Sequence, residues 1–95
     1  MTEIDVRNVP EHGRYEAHID DQVVGCSDYE LSDGVIAFTH TLVEPAYRGR
    51  GIASQLARDS LDDVRHEGSR SVRPVCPFYV WYLEQHPEYA DLMTT

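Results

Sequence analysis

The sequence predicts an α+β fold: an antiparallel meander of four strands, a helix, a fifth strand parallel to the fourth, and a second helix. Three observations predict it. Between residues 3 and 43, four segments alternate or run apolar, with turn residues between them. Residues 52–67 then carry apolar side chains at helical spacing. Ser71 to Val75 follows as a short strand, and a strand reached through a helical crossover runs parallel to the one before it.

Each element has its own warrant. Ile4 and Val6, with Asn8, oppose Asp5 and Arg7, so Glu3 to Val9 reads as a half-buried first strand. Pro10-Glu11-His12-Gly13 is a turn. From Arg14 to Ile19, Tyr15, Ala17 and Ile19 share one face, and Glu16 and His18 the other. Asp20-Asp21 makes a tight hairpin into a third strand, Gln22 to Leu31, in which Gly25 marks a bulge. Ser32-Asp33-Gly34 is a hairpin signal. Val35 to Val43 is apolar on both faces, as a central strand is.

In the helix from Ile52 to Glu67, Ile52, Leu56, Ser60 or Leu61, and Val64 share one face. Arg58, Asp59, Asp62, Arg65 and Glu67 lie mostly on the other. Gly68 ends it. Cys76 caps the last helix and Pro77 takes its first position. Phe78, Trp81, Tyr82 and Gln85 share a face of it, Pro87 stops it, and Glu88 to Met93 forms a terminal turn.

Length and charge narrow the function. Ninety-five residues make one domain with a single modest core, and 41% hydrophobic with 26% charged residues is ordinary for a soluble globular chain. No apolar run approaches the ~20 residues that span a bilayer. The start, Met-Thr-Glu-Ile-Asp, is acidic and has no signal-peptide character, so we expect a cytoplasmic protein with no membrane partner. Cys26 and Cys76 are too few for a disulfide scaffold and read as free thiols. His12, His18 and His66 show no metal spacing. The net charge is −9, with 17 acidic residues against eight arginines and no lysine. Such a surface repels nucleic acid and favours a cationic partner such as an amine. The expected state is a monomer or weak dimer.

The chemistry concentrates in Val43-Glu44-Pro45-Ala46-Tyr47-Arg48-Gly49-Arg50-Gly51-Ile52-Ala53-Ser54. A strand leads in and a helix leads out. Glycines let backbone N–H groups approach an anion, and the first N–H groups of a helix lack internal partners at the positive end of its dipole. A phosphate or pyrophosphate satisfies both. Arg48 and Arg50 flank the turn, where a guanidinium reaches diphosphate oxygens bidentately. A Walker loop would need Lys and Ser or Thr after its second glycine, but Ile52 follows here. A dinucleotide fingerprint would need a third glycine and a following βαβ unit with an acidic residue. An ordinary turn with a solvated arginine pair is the other reading.

Pro45-Ala46-Tyr47-Arg48-Gly49-Arg50-Gly51-Ile52-Ala53 resembles the acyl-coenzyme A pyrophosphate loop of the GNAT superfamily of N-acetyltransferases. That pattern, Gln/Arg-x-x-Gly-x-Gly/Ala, falls on Ala46 to Gly51; Gly49 and Gly51 match it and Ala46 departs from it. Pro74-Val75-Cys76-Pro77-Phe78 and His86-Pro87-Glu88-Tyr89 resemble the short, single-domain members of the superfamily. The resemblance implies a GNAT-like mixed sheet and a cofactor, acetyl-CoA or coenzyme A. Its fourth and fifth strands, Val35–Val43 and Ser71–Val75, would splay apart around the pantetheine arm. Backbone N–H groups from Arg48 through Gly49, Arg50, Gly51, Ile52 and Ala53 to Ser54 would hold the pyrophosphate. Leu42 and Val43 would pair with pantetheine.

Two residues are candidates for the chemistry. Cys76 lies just after the fifth strand, where the start of a helix favours negative charge. It is either a nucleophile carrying an acetyl group, which the short members' own cysteine at this point parallels, or a small packing residue. His40 is placed to remove an amine proton, or else is a satisfied strand histidine. Glu44 adjoins the loop and would act through water, or stay solvated. Longer members use a tyrosine as acid on the leaving thiolate; Tyr79 and Tyr82 lie in that region, with core packing as their other role. The expected function is acetyl-CoA-dependent N-acetyl transfer to an unidentified amine, on a small molecule or a protein. A non-catalytic coenzyme A-binding or protein-interaction module is the alternative. It stays open because the helices after the first strand and the extra C-terminal strands of longer members are missing.

Overall fold

Period-2 alternation and turn residues build one sheet, as the computed structural model, which describes residues 3–93, shows. Its strands are β1 (Asp5–Val9), β2 (Arg14–Ile19), β3 (Gln22–Ser32), β4 (Val35–Val43) and β5 (Ser71–Pro74), in that spatial order. The first four are antiparallel neighbours, and β5 runs parallel to β4. Two helices, α1 (Ile52–Glu67) and α2 (Pro77–Gln85), follow β4 and β5, and a 3-10 turn over Pro87–Leu92 comes after α2. Glycines at both ends of α1, Gly51 and Gly68, take left-handed φ angles of 76° and 83° that a residue with a Cβ adopts only with strain.

The core lies between one face of the sheet and the two helices. Tyr15, Ala17, Val24, Ile36 and Phe38 from the strands meet Ile52, Leu56, Ala57, Leu61 and Val64 from α1. Tyr79, Tyr82 and Leu83 of α2 complete it. Tyr79 stacks on Phe38 with ring centroids 4.3 Å apart, and its hydroxyl shares a 2.8 Å hydrogen bond with that of Ser60 on α1. Burying an aromatic ring of this size gives α2 its anchor.

Three details differ from the sequence expectation. The bulge in β3 falls at Val24, because Ala17 pairs with Gly25 while His18 pairs with Val23. Gly25 serves a different end: a Cβ there would lie 3.1 Å from the Leu42 carbonyl oxygen and from Ile52 Cγ2, so glycine lets α1 close onto the sheet. The buried face of α2 is Tyr79, Tyr82 and Leu83, while Trp81 stands half exposed and Gln85 is exposed. Glu16, on the face of β2 opposite Tyr15, Ala17 and Ile19, is only 5% exposed. Arg14 Nε donates to its carboxylate at 2.8 Å, and ring nitrogens of His18 and His12 lie 3.0 and 3.4 Å away. Burial by itself raises its pKa, but these partners outweigh that and hold it below the usual glutamate range.

Candidate functional site

The site begins where the sheet comes apart. β5 pairs with β4 only from Val35↔Ser71 to Phe38↔Pro74. The Phe38 carbonyl then accepts the N–H groups of both Val75 and Cys76, at 3.0 and 2.8 Å, and closes the ladder. β4 runs on to Val43 alone on that side.

A bulge decides what β4 presents to the gap. Tyr29 pairs with Phe38 and Asp28 with His40, leaving Thr39 as the extra residue. Before it, Ile36 and Phe38 are buried; after it, Thr41 and Val43 are half-buried, while His40 and Leu42 are exposed. The backbone follows the same shift. Glu44 N–H bonds to the Val24 carbonyl at 2.8 Å and Leu42 pairs with Cys26, so both face β3. By strand alternation, Thr41 and Val43 turn their N–H and C=O groups toward the gap.

Cys76 stands on the opposite side. It caps α2 with extended backbone, and its carbonyl accepts the Val80 N–H at 3.1 Å. Its side chain is buried, and Sγ lies 3.4 Å from the Thr41 hydroxyl oxygen, within donating distance. His40 is not part of this pair. It lies exposed on the outer face of the sheet, across from Asp28, with Nδ1 3.1 Å from the Thr39 hydroxyl.

The loop joins the end of β4 to α1. A 3-10 turn over Pro45–Tyr47 leads to Gly49 and Gly51, with φ of 82° and 76° and no atom within 4 Å of where a Cβ would stand. Each glycine backbone is open on the side where a Cβ would stand. The first bond of α1 runs from Gln55 N–H to the Gly51 carbonyl at 3.0 Å, so the N–H groups of Ile52, Ala53 and Ser54 precede it without helical acceptors. No side chain caps this end and no acidic residue sits in its first turn, which leaves the positive end of the dipole unneutralised. Five of the eight arginines pair with carboxylates among the described residues; Arg48, Arg50 and Arg73 do not. The Arg50 guanidinium lies 5.1 Å over the Tyr47 ring, which orients it beside the turn.

Glu44 is exposed at the mouth of the loop. Tyr79 is fully buried, its hydroxyl is bonded within the core, and burial pushes its pKa up to about 12. Tyr82 is buried with its ring stacked 4.0 Å from His86.

Sequence reasoning missed two features. Thr41 was passed over because threonine in a strand is ordinary; only the bulge turns it toward Cys76. The second was legible: Pro45 to Arg58 holds three arginines and no carboxylate, in a chain with 17 acidic residues.

Comparisons with known proteins agree with this architecture. The family model described as GCN5-related N-acetyl-transferase matches residues 14–92. The protein NATD1 of Mus musculus is 34% identical over 83 residues, covering 81% of this chain and 74% of its own. The Homo sapiens NATD1 is also 34% identical over 83 residues, covering 81% and 73%. Among solved structures, aminoglycoside N-acetyltransferase AAC(6')-Iy in complex with CoA superposes with a TM-score of 0.59 at 16% identity, over 100% of this chain and 90% of its own. A ribosomal-protein-alanine N-acetyltransferase from Brucella melitensis biovar Abortus 2308 gives 0.58 at 18% identity, over 86% and 61%. At such identities the structures speak for the fold alone. The family match over most of the chain carries the assignment: this chain belongs to the GCN5-related N-acetyltransferase family.

Proposed function

We propose that the protein is an acetyl-CoA-dependent N-acetyltransferase acting on a primary amine. One observation carries the reading: an uncapped helix N-terminus and a two-glycine turn, with two arginines that have no carboxylate partner among the described residues, follow directly on the end of β4, the strand that outruns β5. This donor set fits a diphosphate. Gly49 to Ser54 would hold it through backbone N–H groups, with Arg48 and Arg50 at its flanks. Val43 and Thr41 would pair with the pantetheine amides in the place β5 vacates, next to Leu42.

The bound coenzyme supplies an activated acetyl thioester. The amine nitrogen forms the new C–N bond at its carbonyl carbon, the C–S bond breaks, and the coenzyme departs as its thiolate, to be protonated from solvent. His40, exposed on the outer face, accepts the proton lost by the amine. The Thr41 N–H facing the gap stabilises negative charge developing on the carbonyl oxygen. Cys76 forms the wall opposite Thr41, where its thiol either lines the gap or takes the acetyl group first.

The second reading, a coenzyme-binding module without catalysis, draws on the separation of His40 from Cys76 onto different faces. A panel of small amines and peptides, incubated with acetyl-CoA and followed by mass spectrometry, tests between them. Acetylated amine formed at a rate proportional to protein supports the transferase. Coenzyme binding with no product from any amine favours the module.

A further inference from the structure

A pocket of about 180 Å³ opens at the other end of α1 from the anion loop, between the last turns of that helix and the start of β4. Asp63, in its wall, stands about 18 Å along the helix axis from Gly51, which sets the pocket apart from the site described above. Its floor is apolar: the rings of Tyr15 and Tyr29, 5.6 Å apart, line it with Ile36 and Val64, all four buried. The two tyrosine hydroxyls are taken by the wall. Tyr15 donates to Asp63 Oδ2 at 2.6 Å, and Tyr29 to Asn8 Oδ1 at 2.7 Å. Asp63 Oδ1 and Asn8 Nδ2 then have no hydrogen-bond partner among the described residues. Arg70 completes the wall. Its carboxylate neighbour is Glu67, 3.8 Å away and beyond hydrogen-bond reach, and Glu67 is already bonded by the N–H and hydroxyl of Ser69. Asp63 and Arg70 thus border one pocket with opposite charges and do not pair with each other.

An available carboxylate oxygen and an available guanidinium over an apolar floor match a zwitterion with a hydrocarbon side chain. We infer that this pocket binds a free apolar α-amino acid, at a site separate from those of the coenzyme and the amine acceptor. The ammonium bonds Asp63 Oδ1, on a carboxylate that the Tyr15 hydroxyl holds in place. The ligand carboxylate takes Arg70 and the Asn8 amide as donors. The side chain covers the Tyr29 and Val64 surfaces. A purely cationic amine would leave Arg70 unmatched, and a simple carboxylate would leave Asp63 so. The volume lies below the ~300 Å³ at which pockets take drug-sized ligands, which suits an amino acid and not a nucleotide. The inference does not depend on the coenzyme reading of the loop.

The test is a titration of nitrogen-15-labelled protein at neutral pH, read from its amide signals. The probes are L-leucine, L-methionine and glycine, with 3-methylbutylamine and 4-methylpentanoate as the leucine skeleton lacking its carboxylate or its ammonium. Leucine and methionine should shift the amides of Tyr29, Ile36 and Val64 and leave those of Gly49 to Ser54 in place. Glycine and the two singly charged analogues should bind about fivefold more weakly or worse, the scale of one charge-assisted bond in a partly solvated wall. Asp63→Asn keeps an oxygen for the Tyr15 hydroxyl, and Arg70→Gln keeps a donor; each should weaken leucine by a similar factor. If a variant fails to fold, the analogue series on the wild type decides alone. No shift at the pocket with leucine or methionine, a singly charged analogue binding as tightly as leucine, or full leucine affinity in either folded variant would overturn the site. Shifts confined to Gly49 to Ser54 would overturn it too, by placing the amino acid at the anion loop.

Discussion

The Cys76 thiol sulfur lies 3.4 Å from the hydroxyl oxygen of Thr41, across the gap where β5 leaves β4. The contact exists because the bulge at Thr39 turns Thr41 inward and Pro77 starts α2 immediately after Cys76. Thr41→Val keeps the shape and removes the hydroxyl. If the pair orients the thiol beside the thioester, acetyl transfer should slow by about two- to tenfold, the worth of one neutral hydrogen bond, with coenzyme affinity unchanged. Transfer at the wild-type rate would leave Thr41 as packing.

Arg48 and Arg50 carry the electrostatic part of the loop. Arg48→Ala and Arg50→Ala should each weaken coenzyme A binding by about tenfold at fixed salt, less as salt rises. Calorimetry at two ionic strengths checks it. Full affinity in both variants would make the arginines a solvated pair.

Gly25 is the point of closest approach between sheet and helix. A methyl group there would press against the Leu42 carbonyl, Ile52 and Leu56. Gly25→Ala should therefore cost about 1–3 kcal/mol of stability by strain. Chemical denaturation reads this, and an unaltered midpoint would show that α1 has room to retreat.

How far the sequence carried depended on the kind of signal. Both ends of α1 were legible because glycine punctuates them, and Cys76 at the head of α2 because proline follows it. The bulge at Thr39 was not. Val35 to Val43 is apolar enough on both sides that a one-residue slip leaves no break in the pattern, and so the facing of His40, Thr41 and Leu42 emerged only from the pairing. The buried face of α2 was obscured for a similar reason, since Phe78 to Leu83 is aromatic or aliphatic all round. Glu16 shows the limit of alternation. It was placed on the correct face, but its burial depends on Arg14, His12 and His18 converging on one carboxylate.

That convergence sets an acid sensitivity. The folded-state pKa of Glu16 lies below its unfolded value, so its contribution is complete above the ordinary glutamate range and is lost as pH falls toward the folded value. Urea midpoints measured from about pH 6 down to about pH 3 should drop more steeply for the wild type than for Glu16→Gln. Parallel slopes would contradict the assigned role of the cluster.

The most direct test is a crystal structure with acetyl-CoA bound. The account predicts the diphosphate on the N–H groups of Gly49 to Ser54, and the acetyl thioester between Thr41 and Cys76. Coenzyme bound elsewhere, with the gap between β4 and β5 closed by side chains, would contradict it.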